Sequence, residues 1–109
     1  MRPKNLSYSD STAYVASQIA KATPGTVFRI SGYNSKGSAQ FIQLHDAATL
    51  PADTAVPKII LAVAATANFD YDFGEKGRYC GAGIVVCNSS TGPAKTIDGT
   101  DCWFSIEYS

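Results

Sequence analysis

The stretch that decides the fold is Cys102-Trp103-Phe104-Ser105-Ile106-Glu107-Tyr108, in which Trp103, Ser105 and Glu107 alternate with Phe104, Ile106 and Tyr108. A period of two sends successive side chains to opposite faces, so the segment reads as a half-buried β-strand. Working back along the chain, Gly83-Ile84-Val85-Val86-Cys87-Asn88 is short and apolar and predicts a central strand. Asn68-Phe69-Asp70-Tyr71-Asp72-Phe73 alternates without a break, which places its rings inward and its acids outward. Gly74-Glu75-Lys76-Gly77 turns the chain into Arg78-Tyr79-Cys80, and Gly81-Ala82-Gly83 reads as a bulge or tight link rather than a phosphate loop. Lys58-Ile59-Ile60-Leu61-Ala62-Val63 is apolar enough to be covered on both faces, and residues 39–46 set Gln43 and His45 against Ile42 and Leu44.

Further toward the N-terminus, Val27-Phe28-Arg29-Ile30-Ser31-Gly32-Tyr33 combines β-branched and aromatic residues and predicts a strand. Residues 13–21 fit a helical or an alternating period, and the strand reading is adopted. Between them Thr23-Pro24-Gly25-Thr26 has the residues of a type II turn, which predicts a hairpin. The ten-residue connection 47–56, bracketed by Pro51 and Pro57, is read as a crossing from one sheet to the other. About eight strands result, the number of an all-β, two-sheet antiparallel β-sandwich of jelly-roll-like form. The expected organisation is a polar N-terminal arm over residues 1–12 and a single domain over residues 13–109.

Composition excludes several functions. At 109 residues one domain is expected, large enough for a core without staples. Nine basic and nine acidic residues cancel, which removes the field that a nucleic-acid binder or a ligand of anionic membranes requires. The longest apolar run, Ile59 to Ala65, is far shorter than the ~20 residues of a membrane-spanning helix. No apolar region follows the basic residues at the N-terminus, so the chain is expected to arise in a cytoplasm. One histidine and two glutamates leave few groups for acid–base work. Cys80, Cys87 and Cys102 are an odd number without CxxC spacing and read as reduced, buried thiols, with a Cys87–Cys102 bridge as the lesser alternative.

Candidate chemistry is sparse. His45-Asp46 is the one pair that suggests a hydrolase, yet neighbours on a strand point to opposite faces. Asp70, Asp72 and Glu75, or the Asp98–Asp101 stretch, offer oxygen ligands for calcium but match no calcium loop, and read as solvated acids. No catalytic, cofactor-binding or metal residue is therefore assigned, and no enzyme is expected. Tyr8, Tyr33, Tyr79 and Trp103 supply a sugar-stacking platform or an interface anchor, with Trp103 foremost because it opposes Phe104 and Ile106. In the arm, Arg2, Lys4, Leu6 and Tyr8 are candidates for clasping a neighbour.

Three stretches carry a resemblance: Gly37-Ser38-Ala39-Gln40-Phe41-Ile42-Gln43-Leu44-His45-Asp46-Ala47, then Leu50-Pro51-Ala52-Asp53 with Ala55-Val56-Pro57, and Gly83-Ile84-Val85-Val86-Cys87-Asn88-Ser89-Ser90-Thr91-Gly92-Pro93 through Asp101-Cys102-Trp103-Phe104. Over residues 14–108 the chain resembles a group of short, virion-associated proteins of tailed phages and prophages. The resemblance implies a particle component made in the bacterial host cytoplasm. Size and architecture then suggest a capsid decoration (cement) protein on the outer capsid, with the major capsid protein and further copies of itself, as a homodimer or homotrimer, as partners. The alternatives are a receptor- or glycan-binding module of a tail or head fibre, and a tail or connector component.

Overall fold

In the computed structural model, which describes residues 6–109, β1 (Ser7–Asp10), β9 (Cys102–Tyr108), β3 (Gly25–Asn34) and β6 (Ala67–Asp72) lie side by side in one antiparallel sheet. The ten-residue β3 is long enough to pair through Arg29–Asn34 with β6 and through Gly25–Val27 with β7 (Arg78–Cys80). The second sheet has the order β2 (Ser17–Lys21), β8 (Ile84–Ser89), β4 (Gln40–Asp46), β5 (Ile59–Val63). The pairs β1·β9, β2·β8, β3·β6 and β4·β5 are nested, each enclosing the next in sequence. With the short β7 set aside, this is the wrapping of a jelly roll, so the expected β-sandwich is the observed fold, with nine strands among the described residues where about eight were expected.

The core lies between the sheets. Alternation in β9 turns Cys102, Phe104 and Ile106 inward against Ile42, Leu44, Ile84 and Val86 of the second sheet, as the period-two reading requires. Every residue of β8 is buried, which agrees with its reading as a central strand. All three cysteines are free and buried. Burial pushes the thiols up, Cys87 to about 11 and Cys102 to about 12, so both behave as small hydrophobes.

Several connections differ from expectation. Thr23-Pro24-Gly25-Thr26 does not close a hairpin, because β2 and β3 belong to different sheets and the chain crosses the sandwich there. Among the described glycines only Gly74 and Gly77 have positive φ, so Gly25 does not supply the type II geometry. Space is its reason: a Cβ would stand 2.7 Å from the Ser109 carbonyl oxygen and 2.8 Å from Lys21 Cδ. Conversely, the long connection after β4 returns to the same sheet, since β4 and β5 pair. β5 is consequently an edge strand with one exposed face, not a strand covered twice. Ser7–Asp10, read as part of an arm, form β1 because Ser7 to Asp10 find a ladder in Tyr108 to Ser105. Phe69 is buried as expected, whereas Tyr71 is half exposed. Register sets Tyr71 opposite Ile30, but β6 is an edge strand and the ring packs on Phe73 at 4.8 Å. The turn at Gly74-Glu75-Lys76-Gly77 holds, closed by the Gly77 amide donating to the Gly74 carbonyl at 3.2 Å.

Candidate functional site: the open face of the first sheet

The outer faces of the two sheets are treated differently by the chain. Over the second sheet, connections 47–58 and 90–101 form a roof. The Lys95 amide donates to Ala55 O (2.8 Å) and the Thr54 amide to Lys95 O (2.7 Å), which joins the two loops. Lys95 Nζ, itself buried, meets Asp53 at 3.1 Å, and the Asp53 carboxylate also accepts the Ile97 amide. Beneath the roof the buried Gln43 amide donates to the carbonyls of Thr91, Gly92 and Ala94 at 2.9, 3.0 and 3.3 Å. His45 Nε2 lies 2.9 Å from Gln43 Oε1. With the Gln43 amide donating outward, that contact makes His45 the donor.

His45 and Asp46 diverge, as adjacent strand residues must. Asp46 accepts the amides of Ala82, Gly81 and Gly83 at 2.8, 3.0 and 3.4 Å, which holds its carboxyl below the usual range and gives the Gly81-Ala82-Gly83 link its role. Burial, and then the Lys95 charge, keep the His45 pKa below its ordinary 6.5. As pH falls the unfolded chain therefore takes up the proton first, so the stability His45 contributes is present above pH 6.5 and is lost as pH drops through the folded pKa. Asp46, Asp53 and Asp70, held below 3.8 by the Ala82 amide, the Ile97 amide and Arg29, lose their contributions only in a more acidic window. Urea unfolding between about pH 7 and about pH 5 should show stability falling in the wild type and nearly flat in His45→Gln. Parallel curves for the two proteins would refute this.

Among the described residues the first sheet has no such roof. Its outward side chains align in rows across β1, β9, β3 and β6: Tyr8, Glu107, Arg29, Asp72, then Asp10, Ser105, Ser31, Asp70, then Trp103, Tyr33, Asn68. Arg29 grips Asp70 with two bonds, Nε to Oδ1 at 2.7 Å and Nη2 to Oδ2 at 2.5 Å. The Asp70 contact raises the Arg29 pKa, and the Arg29 contact lowers that of Asp70. Ser105 Oγ donates to Asp10 at 2.6 Å. A shallow recess of about 190 Å³ is lined by Tyr8, Arg29, Ser31, Ser105 and Glu107. At the rim Trp103 is 40% exposed and meets Tyr14 edge-on at 5.7 Å.

Of the candidate interface residues, Tyr8 and Trp103 therefore share this face, with Tyr8 63% exposed. Tyr33 joins them. Tyr79 is as exposed but stands apart, on β7 opposite Thr26. Leu6 is half-buried just before β1, and Arg2 and Lys4 lie outside the described residues. The candidate calcium acids do not gather. Asp70 holds Arg29, Asp72 accepts the Gly74 amide at 2.7 Å, and Asp98 and Asp101 flank the Lys36 ammonium at 2.5 and 4.0 Å. Among the described residues no group of three or more potential ligands converges. Arg29, Ser105, Asp10 and Glu107 were not singled out from sequence, and Asp70 was considered there only as a calcium ligand. Their signal was the outward half of each alternation, which in one strand alone reads as solvation. What the face offers chemically is an array of rings and charge-paired polar groups. Compared with protein-family models, curated proteins and solved structures, the chain matches none.

Proposed function

We propose that this chain is a non-enzymatic structural protein of a tailed-phage virion, a decoration (cement) module that lies on the major capsid protein lattice through the open face of its first sheet. The carrying observation is the asymmetry of the sandwich: one outer face is roofed by the chain's own loops, and the other presents ordered rows of Tyr8, Trp103, Tyr33 and Arg29 with no roof among the described residues. The resemblance of residues 14–108 to short virion proteins supplies the partner, and the near-neutral charge suits contact with protein rather than DNA. Aromatic and arginine side chains at the centre of such a face are the residues that dominate protein interfaces.

Image reconstruction of the particle tests the reading, with density for the chain expected over the capsid lattice. Tyr8→Ala combined with Trp103→Ala should weaken head binding by roughly thirtyfold or more, about 2 kcal/mol, with an unchanged far-UV spectrum. Lattice density without any effect of the pair would refute the face. A second reading, a glycan-binding fibre module, is favoured by Trp103 and Tyr14 beside a polar recess. Glycan-array binding abolished by Trp103→Ala, with density confined to a tail or vertex, would select it.

A further inference from the structure

The unpaired margin of a sheet accepts another strand unless something blocks it, and soluble proteins use charges, prolines and bulges as the block. β1 carries Asp10, β6 carries Asp70 and Asp72, β7 carries Arg78, and β2 carries Lys21 with a register shift beside it. β5, Ile59-Ile60-Leu61-Ala62-Val63, carries no charge, proline or register shift. Its nearest charge is turned away: the Lys58 ammonium donates to the Tyr79 carbonyl at 2.8 Å and lies 3.7 Å from Asp46 of its own chain. The Lys58 amide donates to Leu44 O at 2.7 Å. The Ala47 amide bonds to Gly83 of the β8 side, so by alternation Leu44, Ile42 and Gln40 face β5 and hold their partners Ile59, Leu61 and Val63, and the N–H and C=O groups of Ile60 and Ala62 point away from β4, out of the sheet. The Ile60 side chain is 42% exposed and that of Val56 78%.

We propose that two copies of this chain pair through β5, antiparallel, about a two-fold axis at Leu61. Leu61 then faces Leu61 of the partner subunit and Ile59 faces Val63 of the partner subunit at positions without mutual hydrogen bonds, while Ile60 faces Ala62 of the partner subunit and each such pair exchanges both of its hydrogen bonds. The Ile60 and Ala62 side chains thereby cover exposed apolar surface on the outer side. Charge selects this occupant. A two-fold pairing of β6 places acids against acids, and one of β7 or β2 brings together arginines or lysines, whereas β5 opposes only apolar residues. The four-stranded sheet becomes one continuous sheet across two subunits. This pairing does not rest on the virion reading and applies wherever the protein acts.

Sedimentation equilibrium of the full chain, well above micromolar concentration, should give twice the 11.5 kDa chain mass. Ala62 is exposed, so Ala62→Glu and Ala62→Lys are each tolerated by the single chain, and each should weaken self-association by about tenfold or more through like charges across the axis. An equimolar mixture of the two should restore the dimer. Independently of charge, Ile60→Cys mixed with Ala62→Cys should form a cross-link that Ile60→Cys alone does not. A monomeric wild type, a dimer indifferent to Ala62→Glu, failure of the mixture to re-associate or absence of the mixed cross-link would each overturn the proposal.

Discussion

Gly32→Ala is expected to cost about 3–5 kcal/mol, enough to leave little folded protein at physiological temperature. Gly32 lies in β3 between Phe104 of β9 and Phe69 of β6. A Cβ built there overlaps the Trp103 carbonyl oxygen and falls 2.7 Å from Phe69 Cζ. Neither can retreat cheaply, because the Trp103 carbonyl belongs to a strand paired on both sides and Phe69 packs on Phe104 at 6.0 Å between ring centres. The penalty is overpacking of the backbone itself, not loss of a contact. Gly37→Ala serves as the control, since a Cβ at Gly37 meets nothing within 4 Å. Thermal unfolding of the two variants should separate them widely, and a Gly32→Ala melting point close to wild type would contradict the packing described.

Gln43→Leu is the second large effect, expected at about 3 kcal/mol, or a fall of roughly 12 °C or more in Tm. The replacement fits by size but removes a donor from the Gly92 carbonyl and the acceptor of His45 Nε2, and leaves the Thr91 and Ala94 carbonyls only the Ser89 and Thr91 hydroxyls. An orphaned buried group costs about 1–3 kcal/mol. Part of this is recovered where the loop lifts and water enters. The loss should therefore appear as faster hydrogen exchange and proteolysis within residues 90–98, with β8 and β9 protected as before. A Tm within about 2 °C of wild type would show that Gln43 does not hold the roof.

What the sequence made legible followed from strand-internal chemistry. β8 and β9 were read with their inward and outward sets because Ile84 to Val86 and Phe104, Ile106 state their burial in their own composition. Features set by partners elsewhere in the chain were not legible. Residues 23–26 have turn chemistry whether they close a hairpin or cross between sheets, and only the placement of β2 beside β8 decides between them. Ile59 to Val63 are apolar enough for a central strand, yet no strand lies beyond them among the described residues. Gln43 and His45 were seen to share a face, but that face is buried by a loop about fifty residues downstream in the sequence, which nothing within residues 39–46 states. The candidate site was half legible: Tyr8, Tyr33 and Trp103 were named as aromatics of interest, while the rows that unite them with Arg29 and Glu107 arise from the register of four strands.

The nested pairing also dictates a timetable. β9 lies between β1 and β3, so the strand that joins the two is the last of the nine to be synthesised. Until residues 102–108 emerge from the ribosome, β1 has no ladder to join, and β2 likewise waits for β8. The nascent chain therefore holds its early strands open until residues 102–108 have been made. Folding dominated by distant pairings of this kind belongs to the slow end of small domains, milliseconds to seconds. In that interval the uncharged Ile59 to Val63 is a segment open to misassociation.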